Sequence, residues 1–459
     1  MKILAFFNNK GGVGKTSLAY HLAWMFSEKN IPTLAVDLDP QANLTTMFLD
    51  EQKLEEIWLD GGERTIYGSV APLMSRVGDI APPHIEPIAH NLWLIPGDLT
   101  LSRFEDLLSE NWPKCLDSQE AAFRVTTAFF RAISIAAKQT KAELVLIDVG
   151  PNLGAINRSA LIASDHVLLP LAPDLFSLQG LRNLGPTLKE WRKGWRKRYD
   201  EAPQRKDLEL PNGSMTPIGY VVMQHSTREN RPVKAYQRWM EKIPEIYEDN
   251  FLDTPSSSQS TPDEYRLALL KNYRSLMPMA MENHKPMFSL KSSDGAIGSH
   301  IEAVKSCYRD FELLASRVSE KLKIPFTLSK RTLNVRGSYS KSTIIPTSLP
   351  GAFSLKKSTD GQYYFTLSRG NGETILSSEL YKHKESAIAG IESVRKNSLR
   401  ADAFEIKKAS NGMFYFTLKA MNGQIIGQSQ MYSSESHCMI GIQAVAASAF
   451  NSNLKDSTS

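Results

Sequence analysis

Three stretches of the chain carry residue types that can handle a phosphate chain. The first is Phe7-Asn8-Asn9-Lys10-Gly11-Gly12-Val13-Gly14-Lys15-Thr16-Ser17. Its glycines let backbone N–H groups close around an anion with no Cβ in the way. Lys15 can reach the outer phosphates, and the Thr16 hydroxyl can hold a divalent cation. The second is Asp37-Leu38-Asp39-Pro40-Gln41, where alternation brings Asp37 and Asp39 to one side. The third is Leu144-Val145-Leu146-Ile147-Asp148, an apolar run ending in an acid, which suits a central strand presenting a metal-binding carboxylate. Residues of these types support hydrolysis of a nucleoside triphosphate with Mg²⁺.

Such residues work only if strands and helices hold them. Ile3 to Phe7 reads as a buried strand, and Leu18, Ala19, Leu22, Ala23 and Phe26 recur at helical spacing. Strand, glycine-rich turn and helix is the context a phosphate loop requires, and the helix N-terminus adds its positive dipole end. Thr33 to Asp37, Leu144 to Asp148, His166 to Pro170 and Ile218 to Met223 read as further strands. The expected fold is α/β: a mostly parallel P-loop sheet with helices on both faces, ligands binding at the C-terminal strand ends. Glu51 to His90 reads as an irregular or helical insertion, and Leu92 to Gly97 as a strand. Ala121 to Ala137 and Val233 to Trp239 read as helices, Thr254 to Pro262 as a loop, and Ile301 to Val318 as the helix closing the sheet.

The loop departs from the ordinary Walker A pattern, with Asn9 where a glycine is required, and places a second lysine, Lys10, inside it. Lys-Gly-Gly-x-Gly-Lys-Thr resembles the deviant loop of the ParA/MinD family of dimerising ATPases. The resemblance covers roughly Met1 to Lys323 and is most specific before Gly180. It implies ATP and Mg²⁺ as cofactors, with Lys10, Gly11, Gly12, Val13, Gly14, Lys15, Thr16 and Ser17 around the nucleotide. It implies catalytic roles for Lys10, Lys15 and Asp39, with Lys10 crossing a dimer interface and Asp39 positioning water. It implies Thr16, Asp37 and Asp148 near the metal, and hydrolysis that is slow until a protein partner stimulates it. The turn Gly150-Pro151-Asn152-Leu153-Gly154 would sense the γ-phosphate, although Gly150 stands where relatives carry a proline. Met223 and Gln224 occupy the position from which relatives often read adenine with an asparagine.

The segment after Gln179-Gly180-Leu181 reads as a basic helix. Trp191 and Trp195 lie four apart and should pack on the core. Lys189, Arg192, Lys193, Arg196, Lys197 and Arg198 occupy the other faces, either as a solvated surface or as a non-specific grip on a DNA backbone. His225 reads as a residue of the polar loop His225 to Arg231, because phosphoryl transfer here needs no histidine.

At 459 residues the chain exceeds one ordinary core. A net charge of +5 is compatible with nucleic acid without requiring it. Cys115, Cys307 and Cys438 are too scattered for a disulfide framework, a zinc site or an iron–sulfur cluster, which fits a cytoplasmic setting. No run reaches membrane-spanning length, and the polar stretch 451–459 reads as a tail without an amphipathic membrane helix.

The expected domains are 1–325 for the ATPase, 326–351 for a linker and 352–450 for a tandem repeat with copies 353–398 and 404–449. Phe353-Ser354-Leu355-Lys356-Lys357 matches Phe404-Glu405-Ile406-Lys407-Lys408, Tyr364-Phe365-Thr366-Leu367 matches Tyr415-Phe416-Thr417-Leu418, Tyr381 matches Tyr432, and Gly390-Ile391 matches Gly441-Ile442. Hairpin signals stand at Asp360-Gly361, Asn371-Gly372, Asn411-Gly412 and Asn422-Gly423. Three strands and a helix, twice, form a small α+β domain that closely resembles the YegP-like tandem-repeat family. Tyr363, Tyr364, Tyr415 and Tyr432 read as core or cross-strand aromatics, or as a binding face.

The reading that follows is an ATPase switch in which ATP closes a homodimer that grips DNA or another scaffold, for segregation or cargo positioning. A nucleotide-gated regulatory or defence-type adaptor that does not act on DNA is the alternative. A metabolic P-loop enzyme would need a substrate constellation that the sequence lacks. Nothing resembling a helix-turn-helix precedes the loop, so specific operator binding is not expected.

Overall fold

A computed structural model describes residues 1–59, 61–203, 205, 207–223, 233–252, 264–273, 275–329, 332, 352–369, 373–398, 400, 403–420, 422–432, 438, 441, 442, 444, 445, 448, 449 and 452–458. The chain divides into two compact units, the first built from Met1–Gln259 and Asp263–Leu328 and the second within Ser329–Ser459.

In the first unit the elements run β1 (Lys2–Phe6), α1 (Lys15–Glu28), β2 (Thr33–Asp37), α2 (Asn43–Phe48), α3 (Glu51–Trp58), α4 (Ile66–Met74), β3 (Glu86–Ala89), β4 (Leu92–Ile95), α5 (Phe104–Lys114), α6 (Glu120–Thr126), α7 (Ala128–Thr140), β5 (Leu144–Asp148), α8 (Ala155–Ile162), β6 (His166–Leu171), α9 (Leu175–Asp200), β7 (Thr216–Met223), α10 (Val233–Phe251), β8 (Arg266–Leu270), α11 (Leu276–Glu282) and α12 (Ser299–Leu322). The strands form one sheet in the order β3-β4-β2-β5-β1-β6-β7-β8. Every neighbouring pair is parallel except the edge pair β3 and β4.

Alternation along the strands splits the core in two. Ile3, Ala5, Val36, Ile147 and Leu169 face one helical layer that includes Phe104, Phe129, Leu184 and Trp195. Leu4, Phe6, Ala35, Leu146 and Leu168 face the other, with Leu22, Phe26, Phe311 and Val318. Burial on both faces is why these strands read as continuous apolar runs. The register sets Asp37 directly beside Asp148 at the C-terminal ends of β2 and β5.

Several local expectations differ from the structure. The insertion after Glu51 holds α3, α4 and the strand β3, which a four-residue span containing Pro87 conceals because proline confines it to an edge. The helix expected over Ala121 to Ala137 is two, broken at Thr127, whose hydroxyl donates to Phe123 O at 2.7 Å. The helix expected to Trp239 continues to Phe251, and β8 adds an edge strand. Gln224, the loops His225 to Arg231 and Thr254 to Pro262, Asn371-Gly372 and most of the expected linker lie outside the described residues.

The second unit has β9 (Ala352–Lys357), β10 (Tyr363–Ser368), β11 (Thr374–Ser377), α13 (Lys384–Asn397), β12 (Phe404–Lys408), β13 (Phe414–Lys419), β14 (Ile425–Gln428) and β15 (Asn453–Ser457). They form one sheet in the order β12-β13-β14-β11-β10-β9-β15, the two copies meeting at β14 and β11. Gly361, Gly412 and Gly423 take positive φ, as their hairpin turns require. The repeated Gly390 and Gly441 have a packing cause: a Cβ would sit 2.5 Å from the Tyr381 hydroxyl in one copy and 2.1 Å from the Tyr432 hydroxyl in the other. Tyr381 stacks on Phe365 and Tyr432 on Phe416, so these rings belong to the core. The expected polar tail is corrected: Asn453–Ser457 is a strand parallel to β9. Backbone pairing needs no apolar side chains, so composition could not announce it.

Candidate functional site

The site lies where β1, β2 and β5 end. Asn8 is buried, and its amide donates to Pro170 O at 2.6 Å, tying the loop to the end of β6. Its Oδ1 accepts the Lys10 N–H at 3.0 Å. Gly12 and Gly14 take φ of 72° and 85°, a conformation that favours glycine, and Gly14 ends the loop at the N-terminus of α1. No side chain caps that N-terminus and no acid lies in its first turn, so the helix start is left to an anion. A Cβ at Gly14 would meet Met223 Cε at 2.9 Å. Met223 therefore packs over the phosphate loop.

Lys15 opens α1 and is only 7% exposed. Burial pulls its ammonium pKa down, while the carboxylates of Asp148 and Asp39 pull it up. Asp148 is fully buried, and neither of its carboxylate oxygens accepts a well-formed hydrogen bond. Burial, and then the Asp37 charge, push its pKa well above the carboxylate range, and the Thr16 hydroxyl beside it opposes them. Two orphaned carboxylate oxygens at a strand end are costly unless a cation answers them. The donor set also suits a hard cation that keeps most of its waters, which needs few protein ligands. Thr16 and Asp148 therefore fit Mg²⁺. Among the described residues no cluster of three His, Cys, Asp or Glu side chains forms a separate metal cage.

Asp37 is placed differently. Its Oδ2 accepts the Thr45 N–H and the Thr45 hydroxyl, both at 2.8 Å, and its Oδ1 accepts the Asp39 N–H at 3.2 Å. Burial pushes its pKa up to about 7, against those hydrogen bonds. Asp37 is saturated by the protein and orients the turn that carries Asp39. Asp39 Oδ1 in turn accepts the Gln41 N–H at 3.0 Å, and a Cβ at Gly150 would lie 3.3 Å from that oxygen. The second acidic stretch and the turn after β5 thus come together over the loop.

That turn is clamped from below. Glu105 on α5 accepts the N–H groups of Ala155 and of Ile156, the latter at 2.8 Å, capping α8 from another element. The Asn157 amide reaches Gly150 O at 2.8 Å and Asn152 O at 2.7 Å.

Lys10 pairs with Asp174, the residue that caps α9 by accepting the Ser177 N–H at 2.8 Å. The ammonium also lies 5.7 Å from the Phe176 ring centroid. Lys10 is thus directed to its own chain.

The basic helix α9 divides. Trp191 and Trp195 are buried, as their spacing predicts. Arg198 is 7% exposed, lies 3.8 Å from the Trp112 ring centroid and donates to Trp112 O at 2.7 Å. Arg192 donates to Met215 O and Lys189 to Leu252 O, both at 2.9 Å. Arg198 is thereby removed from any backbone-gripping face, and Arg192 and Lys189 are committed to the fold. Lys193, Arg196 and Lys197 stay exposed, alongside exposed Glu190 and Asp200.

Sequence reasoning missed Thr45, Glu105, Asp174 and Asn157. Only Asp174 carried a signal, an N-cap acid ahead of a helix with Ser177 three residues on. Among the described residues no helix is long and apolar enough to cross a membrane. Cys115, Cys307 and Cys438 are each buried, and none is in a disulfide among the described residues.

Comparisons with known proteins agree with this division. Residues 1–200 match the AAA domain family, and residues 358–405 and 409–456 each match a domain of unknown function, DUF1508. UPF0339 protein PA0329 of Pseudomonas aeruginosa is 56% identical over 104 residues, which is 23% of this chain and 94% of that protein. UPF0339 protein YegP of Escherichia coli is 53% identical over 110 residues, 24% of this chain and 100% of that protein. Protein DIP2308 of Corynebacterium diphtheriae aligns in structure over 70% of this chain and 99% of its own, at 24% identity and a TM-score of 0.51, and shares the fold of the first unit. An ATP complex of McdA from Cyanothece aligns over 72% of this chain and 99% of its own, at 16% identity and a TM-score of 0.46.

Proposed function

Since the chain belongs to the UPF0339 (YegP) family through its C-terminal repeats and carries an AAA domain ahead of them, we propose that it is a ParA-like ATPase whose ATP-bound form is a homodimer. The observation that carries this reading is the convergence of Lys15, Thr16, Asp148 and Asp39 on one strand-end site, with the two Asp148 oxygens left for a cation. Loop N–H groups, the α1 N-terminus and Lys15 hold the phosphates. Thr16 and Asp148 hold Mg²⁺, which when bound neutralises charge on the outer phosphates. Asp39, set by Asp37 and Thr45, orients water. Lys10 leaves Asp174 to meet the partner's nucleotide, and hydrolysis reverses the exchange. Hydrolysis is slow until a protein partner stimulates it. The ATP dimer holds DNA through Lys193, Arg196 and Lys197.

A second reading has specific support in α9. Three of its cations are engaged within the protein, and Glu190 and Asp200 flank the rest. On that reading nucleotide governs assembly with a protein partner and DNA plays no part. Two assays separate the outcomes. Mg²⁺-dependent ATP hydrolysis, lost in Lys15→Ala, supports the ATPase, and its absence with every added DNA or protein overturns it. Retention on non-specific DNA with ATP, weakened by salt, supports the DNA-bound form. No retention in any nucleotide state favours the adaptor.

A further inference from the structure

The internal repeat poses a question that the ATPase site does not answer. β9 and β12 are equivalent strands of the two copies, yet their outer edges differ. β9 is covered by β15, paired in parallel from Asn453 opposite Ala352 to Ser457 opposite Lys356. Lys384 fastens that strand through Asp456 at 2.6 Å, and Arg395 donates to Ser452 O at 2.7 Å. β12 ends the sheet, and among the described residues nothing pairs with its outer edge. The difference reaches the core: Phe353 and Leu355 of β9 are 0% exposed, whereas their equivalents Phe404 and Ile406 are only half-buried. An edge strand presents a row of unpaired N–H and C=O groups, and proteins rarely leave one both bare and apolar.

We propose that β12 is a self-pairing edge, through which two copies of this chain join β12 to β12 in antiparallel register centred on Ile406. The residue pattern Phe404-Glu405-Ile406-Lys407-Lys408 is self-complementary in that register. Ile406 stands opposite the partner's Ile406, between the half-buried apolar faces. Glu405 stands opposite the partner's Lys407, and the two-fold axis repeats the pair. Phe404 stands opposite the partner's Lys408, whose stem can lie across the ring. Moving the centre to residue 405 sets Glu against Glu, and moving it to 407 sets Lys against Lys. A one-residue slip sets apolar against charged positions. One register is therefore selected.

The charges are free to make this exchange. Glu405 pairs within its own copy with Lys407 at 3.3 Å and Lys419 at 2.9 Å, all at side chains about a third to a half exposed. Surface pairs of this kind hold little energy, so trading one for a cross-strand partner is close to neutral. β9 lacks the pattern, because Ser354 replaces Glu405, and its edge is already occupied. A five-residue ladder covers less than the ~1,200 Å² of a stable standard interface, so the pairing is weak and concentration-dependent. It is isologous, closing at two copies.

The test uses the full chain without nucleotide, so that its failure is separable from failure of the ATP-gated dimer. Ile406→Cys places two thiols at facing positions within disulfide reach, and mild oxidation should link two copies at least ~10-fold faster than in Ser354→Cys on the covered edge. Glu405→Lys in the Ile406→Cys background should slow linking about 10-fold, and adding Lys407→Glu should restore it, because the doubly reversed edge is again self-complementary. Equal linking at both edges, or linking indifferent to Glu405→Lys, overturns the proposal. Should Ile406→Cys disturb the fold, sedimentation of the exposed-residue variants decides alone. Loss of weak self-association in Glu405→Lys with recovery in the double reversal supports the pairing. The same sedimentation in all forms overturns it.

Discussion

Lys10 of the phosphate loop is ion-paired with Asp174 at the start of α9. The pair links the loop after β1 to the helix after β6, and Lys10 lowers the Asp174 pKa against its partial burial. Because both side chains keep contact with solvent, the pair contributes about 1 kcal/mol or less. Asp174→Asn keeps the N-cap and releases Lys10. The expected outcome is a fold destabilised by under ~1 kcal/mol, read by urea denaturation, with the ATP-dependent dimer intact. Lys10→Ala should leave stability equally unmoved but weaken that dimer. Unchanged dimerisation in Lys10→Ala would count against a cross-interface role.

Asp148 predicts a trade between stability and activity. Its carboxylate is buried with only the Thr16 hydroxyl and the Lys15 charge beside it to offset the loss of water, so the protein holds a desolvated acid for the sake of its site. Asp148→Asn removes the charge and should stabilise the free protein by about 1–2 kcal/mol, while Mg²⁺-dependent hydrolysis falls at least ~100-fold. A destabilised variant would show that Thr16 and Lys15 already compensate this group in full.

His21 sets an acid limit. It is fully buried on α1, with Nδ1 2.7 Å from Ser17 O and Nε2 accepting the Met287 N–H at 3.1 Å. The neutral ring with Nδ1–H satisfies both contacts. Burial lowers its pKa from 6.5 to about 4. The unfolded chain binds the proton first, so this contribution is whole above pH 6.5 and is lost as pH falls through about 4. Denaturation followed from pH 7 to 4 should show a decline of roughly 2–4 kcal/mol assignable to this group. His21→Gln should start less stable and flatten that limb.

Much of this was legible because spacing and burial agree. The phosphate loop, the ends of β2 and β5 and the buried Trp191 and Trp195 follow from apolar runs, glycine positions and helical period. The partners of those residues were not legible. Thr45 meets Asp37 through a turn and a short helix, and Glu105 caps α8 across a separation in sequence of 50 residues. Neither contact leaves a periodic trace. β15 escaped for a related reason, since its pairing is carried by backbone and two polar clasps.

Helix α9 gives a prediction that separates fold from grip. Replacing Lys193, Arg196 and Lys197 by Glu should abolish ATP-dependent retention on non-specific DNA at unchanged melting temperature. Arg198→Ala should instead cost roughly 2–3 kcal/mol, because it removes a packed guanidinium from Trp112 and its carbonyl partners. Retention lost in Arg198→Ala with stability unchanged would contradict this division.

The central claim is that a triphosphate joins two copies at the phosphate loop. Light scattering during size exclusion of Asp39→Ala, with ATP, with ADP and without nucleotide, tests it most directly. A dimer with ATP alone is predicted, at concentrations where the nucleotide-free chain runs as a monomer. A monomer in all three conditions, or the same dimer in all three, would contradict it.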